Sequence, residues 1–425
     1  MEAFELRDGV LHCEDVPLPE IAAAVATPVY VYSTAAMLAQ AERLRAAVAG
    51  AGTGEPLIAF AVKANPNAAV LATLGRAGLG ADIVSGGEYL RATAAGIAPR
   101  KIVFAGVGKT REEMALALKG GICQFNLESE EEAQMLSEVA VSLGREAPVG
   151  FRVNPDVEAG SHAKISTGAA HNKFGIALSE APAAYARAAA LPGLKVRGIA
   201  VHIGSQLTSL TPFEQAFAKL GGLLRELRSA GRAIDNVDLG GGLGVPYDPE
   251  APPPPPVTAY GEMVRRVTRG WDVRLIFEPG RLIVASAGVL LTEVIRVKPG
   301  AGDPFVIVDA AMNDLMRPTL YDAWHAIDAV RPGGERMTAN VVGPVCETGD
   351  TFATGRRMDA VGAGDLVLFR TAGAYAATMA STYNSRPLTP EVLVDGKRWA
   401  VVRPRTPIER LIEADVTPDW LLPSP

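Results

Sequence analysis

An eightfold alternation restricts the fold of this sequence more than any other feature. Short apolar runs at 57–62, 81–84, 101–105, 122–126, 148–153, 196–203, 235–239 and 273–277 are separated by longer Ala/Leu/Arg-rich stretches. Short apolar runs bounded by turn residues read as buried strands. The stretches between them, among them 86–95, 110–119, 129–143, 179–190, 212–230 and 257–269, read as helices. Ser85, Thr110, Ser129, Ser179 and Thr211 stand where N-caps belong. Apolar strands alternating with helices form a parallel sheet covered on both faces. Eight such repeats over roughly 250 residues predict an α/β chain with one closed (β/α)8 barrel, a TIM barrel, rather than an open doubly wound sheet.

The alternation occupies 35–285. Beyond it, strand-like runs at 289–297, 304–308, 340–342, 365–369, 392–394 and 399–402 predict a β-rich C-terminal domain over 286–425. Residues 1–34 contain a hairpin, 4–6 and 10–13 around the Asp8-Gly9 turn. A lone hairpin is marginal in water, so this segment is expected to join and complete the β domain. The prolines at 252–256 fall between strand seven and its helix and read as a stiff surface loop rather than a linker.

The whole chain has 425 residues, 48% apolar and 21% charged, with a net charge of -6, so it is a globular chain without a basic footprint. Nucleic acid and anionic membranes are excluded as partners on that ground, and small molecules remain. Cys13, Cys123 and Cys346 are too few and too scattered for a disulfide framework or a zinc site, and no metal is expected. The first residues lack the apolar core of a signal peptide, and the greasy run 282–291 is too short to cross a bilayer. A cytoplasmic enzyme is expected.

Function in such a barrel sits at the C-terminal ends of the strands. Strand one ends in Lys63, within Phe60-Ala61-Val62-Lys63-Ala64-Asn65; strand five ends in Arg152; strand six ends in His202, within His202-Ile203-Gly204-Ser205-Gln206. Gly240-Gly241-Gly242 follows strand seven and Glu278-Pro279-Gly280-Arg281 follows strand eight. A lysine ending a core strand is either a rim residue snorkelling to water or an amine held desolvated for chemistry. Glycines leave backbone N–H groups open to an anion, and barrels bind phosphate in the loops after strands seven and eight. Ser205 adds a hydroxyl suited to a phosphate oxygen. A lysine and a phosphate cradle at one mouth point to pyridoxal 5′-phosphate, held on Lys63 as a Schiff base. A carboxylate at Glu278 would keep the pyridine nitrogen protonated and the ring a strong electron sink, and the His202 imidazole can lie flat against the ring.

These motifs, together with Cys346-Glu347-Thr348-Gly349-Asp350 and Ala372-Gly373-Ala374-Tyr375, resemble the fold-type III pyridoxal-phosphate decarboxylases. The likeness runs from about residue 25 to 415, with the motifs in the expected order. It implies an alanine-racemase-like barrel, a β-rich C-terminal domain and a homodimer with shared active sites. By the same resemblance Lys63, His202, Glu278 and Cys346 are catalytic, Cys346 protonating the carbanion from the second subunit. Asp82, Arg152, Ser205, Gly240, Gly241, Gly242, Pro279, Gly280, Arg281 and Tyr375 would hold the cofactor with them. Phe60, Thr348 and Asn172 depart from the residues common in the family, and none is a proposed catalytic group.

A substrate whose far end is a second amino-acid centre needs a fixed cation and a fixed anion there. Arg281 and Arg317 can supply the first and Glu347 the second; Tyr321 and Tyr375 match substrate-binding positions of the family. Within the family the chain is most similar to the branch that converts meso-2,6-diaminopimelate to L-lysine and carbon dioxide, the last step of lysine biosynthesis. Decarboxylases of ornithine, lysine, arginine, carboxynorspermidine or a carrier-bound substrate remain as alternatives. A racemase would replace Glu278 by arginine, and a non-catalytic regulator would have no need of Lys63, Glu278 and Cys346.

Overall fold

Strands apolar on both faces have no side to give to water, and here they close on themselves. In the computed structural model, which describes residues 3–158 and 173–421, eight strands form a parallel ring. They are Leu57–Ala61, Gly80–Ile83, Ile102–Phe104, Gln124–Leu127, Ala147–Asn154, Leu194–Ala200, Asn236–Asp238 and Arg274–Phe277. Each pairs with the next, and the eighth returns to the first through Ile276 opposite Leu57 and Phe277 opposite Ile58. The ring is the expected (β/α)8 barrel. Asn172 lies outside the described residues.

Helices Ala68–Arg76, Gly86–Ala94, Arg111–Gly120, Glu130–Ser142, Ala181–Ala188, Thr211–Ser229 and Val257–Val267 connect successive strands. The eighth strand is followed only by the short helix Arg281–Val284, and Thr34–Val48, entering before strand one, fills the gap between the last long helix and the first. Gly261 permits this: a Cβ there would lie 2.0 Å from the Ala47 carbonyl oxygen. Ser85, Thr110 and Ser129 cap their helices, each accepting from a backbone N–H of the first turn, and Thr110 with Glu113 completes a capping box. Ser179 and Thr211 do not cap. Their helices open with Pro182 and Pro212 in the first turn, where proline's fixed φ and missing N–H replace a cap.

The chain divides into two compact units, Thr34–Ser286 and Met1–Ser33 with Ala287–Pro425. The second unit is built on a nine-stranded sheet whose longest strand, Gly288–Lys298, pairs antiparallel with Val29–Ser33, Phe305–Val308 and Leu366–Phe369. The N-terminal segment joins this unit, but the hairpin does so by packing rather than by strand pairing. Phe4–Arg7, Val10–Cys13 and Val16–Pro17 make a separate three-stranded sheet. Phe4, Leu11, Cys13 and Val16 share a core with Val289, Leu291 and Leu368, and the Leu11 N–H donates to the Val330 carbonyl at 2.8 Å. The segment that enters the large sheet is Val29–Ser33, buried at every position and therefore fit for its interior, between Gly288–Lys298 and Glu391–Asp395. Four strands of this unit, Val16–Pro17, Val29–Ser33, Ile327–Ala329 and Thr351–Asp359, have no counterpart among the apolar runs; the last carries Gly355, Arg356 and Arg357 mid-strand.

Candidate active site

Lys63 lies on the 3-10 turn Val62–Ala64, two residues past the first strand rather than at its end. The turn closes with the Asn65 N–H on the Val62 carbonyl, and Asn65 is extended, as a residue before proline prefers. The Lys63 ammonium donates to Asp82 Oδ2 at 2.6 Å, and the side chains are 37% and 0% exposed. A ligand can therefore reach the amine while its counter-ion stays sealed in the barrel. The other oxygen of Asp82 is buried with no hydrogen-bond partner among the described residues.

Asp238 ends strand seven and Glu278 follows strand eight, which brings two buried carboxyl groups together. Asn126, from strand four, donates to Asp238 Oδ2 at 2.9 Å and to Glu278 Oε1 at 3.4 Å. Burial, and then Asp238 and Asp82, push the Glu278 carboxyl well above the carboxylate range; burial raises Asp238 as well. Such a pair calls for a shared proton or an added cation. Glu88, whose carboxylate accepts the Val84 N–H at 2.8 Å, is pushed up to about 7, chiefly by burial.

His202 sits two residues beyond strand six. Its Nδ1 accepts the Gly241 N–H at 3.2 Å, which leaves the ring proton on Nε2. Burial, and then the cations of Arg152 and Lys63, hold the imidazole well below its usual pKa, so it is neutral at pH 7. Arg152 donates to Glu128 Oε1 and to the His202 carbonyl, both at 3.1 Å. Gly241 lies against strand eight's exit: a Cβ would come within 2.1 Å of the Glu278 carbonyl oxygen. Gly240 has φ +67 and accepts the Glu278 N–H at 2.8 Å, so the two loops are bonded backbone to backbone. Arg281 donates to Tyr247 at 2.5 Å and to Ser205 at 3.2 Å. Pro279 accepts the Ala61 N–H at 3.0 Å, and Gly280 precedes the short helix.

Arg317, Tyr321, Cys346, Glu347 and Tyr375 belong to the second unit. Arg317 is not a solvated surface charge. It is buried, with its guanidinium donating to His325 Nε2 at 2.7 Å, and His325 Nδ1 donates to the Arg370 carbonyl at 2.8 Å. Tyr321 ends the helix that Arg317 begins. Cys346 and Glu347 are exposed on a turn built on buried Asp350, which accepts the Met312 and Val345 N–H groups at 2.6 and 2.7 Å. Asn384 accepts the Cys346 N–H at 3.3 Å, and the Tyr383 hydroxyl donates to Glu347 at 2.9 Å. Tyr375 is held at φ +53, a conformation that a residue of its size adopts only when its surroundings impose it.

Lys63, Asp82, Arg152, His202, Ser205, the glycine triplet and Glu278 to Arg281 thus gather at one barrel mouth. Asp238, Asn126, Glu128 and Glu88 also belong there and were not anticipated; the available signal was polar residues inside or just after apolar strands, as in Phe125-Asn126-Leu127. These groups fit pyridoxal phosphate. The reachable amine suits its aldehyde, the unpartnered Asp82 oxygen and the raised acid pair suit a cationic ring system, and the glycine loop suits its phosphate.

Barrel and mouth together define a pyridoxal-phosphate-dependent enzyme. Residues 36–285 match the model for the pyridoxal-dependent decarboxylase family, pyridoxal binding domain. The chain is 56% identical over 421 residues to diaminopimelate decarboxylase of Zymomonas mobilis, spanning 99% of this chain and 100% of that protein. It is 50% identical over 412 residues to that of Pseudomonas aeruginosa, spanning 97% and 98%. Among solved structures, diaminopimelate decarboxylase from M. jannaschii in co-complex with L-lysine matches with a TM-score of 0.94 at 35% identity, covering 99% of both chains. That from Helicobacter pylori complexed with L-lysine matches at 0.89 and 38%, covering 93% of this chain and 99% of the other. The chain belongs to the diaminopimelate decarboxylase family of pyridoxal-dependent decarboxylases, and its cofactor is pyridoxal 5′-phosphate.

Proposed function

We propose that this chain removes one carboxylate of meso-2,6-diaminopimelate to give L-lysine and carbon dioxide. The observation that carries the reading is 56% identity, end to end, with a diaminopimelate decarboxylase. Residues 35–285 would form the cofactor-binding domain. There Lys63 would carry pyridoxal phosphate, Glu278 face its ring nitrogen and His202 its ring plane. Gly240, Gly241, Gly242, Ser205, Gly280 and Arg281 would take the phosphate, with Asp82, Arg152, Pro279 and Tyr375 completing the site. When bound, the cofactor supplies the electron sink for the pair released as the carbon–carbon bond breaks.

The chain's own groups do the rest. Glu278 would face the ring nitrogen and share a proton with it, the neighbouring Asp238 and Asp82 making this buried spot favourable to a cation. Neutral His202 packs on the ring without adding a competing charge. Cys346 donates the proton that replaces the departed carboxylate, so one carbon–carbon bond breaks, one carbon–hydrogen bond forms, and the thiolate recovers its proton from solvent. Arg281 and Arg317 pair with the substrate's far carboxylate, Glu347 with its far ammonium, and Tyr321 and Tyr375 border it. The working form is a homodimer in which Cys346 of the partner subunit completes each site. A small charged substrate and three free cysteines suit a reducing, cytoplasmic setting.

A product assay tests the substrate. Offered meso-diaminopimelate, ornithine, lysine and arginine separately, the purified holoenzyme should release carbon dioxide from the first alone and form L-lysine; turnover of another substrate at an equal rate would refute the assignment. Subunit mixing tests the shared site. Lys63→Ala and Cys346→Ala proteins should each be nearly inactive, and random exchange should restore activity in up to about a quarter of the sites. Mixed dimers that stay inactive would place both residues in one chain.

A further inference from the structure

The Lys109 side chain is fully buried, yet nothing in the chemistry above uses it. It leaves the loop after strand three and donates to the carbonyls of Gly106 at 2.7 Å and Asn126 at 2.8 Å, and to Glu132 Oε1 at 2.7 Å. The second oxygen of Glu132 accepts the backbone N–H of Glu128 at 2.6 Å. The Glu128 carboxylate in turn holds Arg152 at 3.1 Å and the Gly175 N–H at 2.7 Å. Arg152 reaches the His202 carbonyl, and His202 accepts from Gly241. An unbroken series of bonds therefore runs from a sealed ion pair to the residues lining the mouth.

A buried ion pair is an inefficient way to stabilise a core, because apolar side chains of similar volume often do as well or better. It is effective at fixing a direction. Both oxygens of Glu132 are engaged, one by the ammonium and one by the Glu128 backbone, so the start of helix Glu130–Ser142 is locked to strand four's exit. That lock sets where the Glu128 carboxylate points, and Glu128 sets the plane of the Arg152 guanidinium.

We infer that Lys109 and Glu132 are positioning residues that act through Glu128 to hold Arg152 and His202 in register for the cofactor. The inference rests on the proposed placement of pyridoxal phosphate at this mouth. Burial raises the proton affinity of Glu132 while Lys109 lowers it, so removing the lysine alone would leave an acid that takes up a proton and loosens its hold on the Glu128 N–H.

The experiment compares Glu128→Gln, the double variant Lys109→Met/Glu132→Leu and the parent. Urea unfolding reports the fold, titration of cofactor-free protein with pyridoxal phosphate gives a Kd, and the visible absorption band of the loaded protein reports the cofactor's surroundings. Both variants should bind the cofactor roughly tenfold more weakly and shift the band, the scale expected of partners one step behind a ligand-contacting residue. The double variant should still unfold cooperatively. An unchanged Kd and band in the folded double variant would reduce the ion pair to a structural pin and overturn the inference, and so would an unchanged Glu128→Gln, the link through which the pair acts. If the double variant does not fold, Glu132→Gln, which removes the ion pair while its amide oxygen can still accept the Glu128 N–H, takes its place in the same measurements. Arg152→Ala and His202→Ala separate the two layers. If these shift Kd and band while the relay variants do not, only the inference fails; if these also change nothing, the cofactor's placement fails with it.

Discussion

The two ends of the barrel are made by the same eight strands and settle their charges in opposite ways. At the base, cations end on backbone oxygens. Lys101 donates to Gly78, Arg145 to Leu118, Arg274 to Glu55, and Arg228 to Ile234 and Asp272, at 2.8 to 3.2 Å. Gly78 follows the end of one helix and Leu118 lies in the last turn of another, where unpaired carbonyls and the helix dipole favour a cation. Arg197 takes both oxygens of Asp235 at 2.9 Å. These cations are all answered within the polypeptide. At the mouth, Asp82, Asp238, Glu278 and Glu88 are brought together, one Asp82 oxygen has no hydrogen-bond partner among the described residues, and burial drives three of the four carboxyls toward protonation. The base holds the barrel together, whereas the mouth is complete only with a ligand.

The largest effect expected from this contrast is at Glu278. Glu278→Gln keeps the side chain's size and its hydrogen bond to Asn126 but cannot share a proton with a ring nitrogen. Turnover should fall by roughly two or more orders of magnitude with the cofactor still bound. Steady-state kinetics on cofactor-saturated protein checks this, and an unchanged turnover number would make the mouth's acids as structural as the base's arginines.

A smaller effect reads the stored cost directly. Glu88 has a folded-state pKa of about 7 against an ordinary value of 4.5. The folded protein therefore keeps a proton that the unfolded chain releases, and stability declines as pH rises through that window. Glu88→Gln removes the decline. Relative to the parent, the cofactor-free variant should gain about 1–3 kcal/mol between pH 5 and pH 8, measured by urea unfolding at the two values. A parallel pH dependence in the two proteins would show that the carboxyl is not held protonated.

Much of this was legible in the sequence because it depends on local pattern. Apolar runs place all eight strands, and the glycine triplet and Glu278 to Arg281 stand at the ends of strands seven and eight. The acid pair was not legible. Glu278 was anticipated, but not its partner Asp238 or the amide of Asn126 that joins them; Asn126 lies 112 residues from Asp238, and only closure of the ring brings the three to one point. Lys63 on a turn rather than a strand end, and prolines in place of caps at Ser179 and Thr211, are decided by two or three residues of backbone conformation that apolar periodicity does not report. Arg317 looked like a surface charge or a substrate ligand from its neighbours in sequence. Its burial against His325 depends on the strand Leu366–Phe369 and its exit residue Arg370, about fifty residues on.

The smallest effect belongs to the base and tests whether the two ends are independent. Arg228 joins helix Thr211–Ser229 to the loops before strands seven and eight, donating to the carbonyls of Trp271, Asp272 and Ile234. Arg228→Ala leaves three backbone oxygens without this donor, but water can reach a half-buried site and replace part of what is lost. The expected loss of stability is about 1–2 kcal/mol, seen as a lower urea midpoint at unchanged slope. Strands seven and eight, which lead from these carbonyls to the mouth, keep their pairing. Turnover and cofactor Kd should therefore match the parent at temperatures where both proteins are folded. If turnover falls along with stability, strain at the base reaches the mouth through strands seven and eight, and the barrel's two ends cannot be assigned separately to stability and to chemistry.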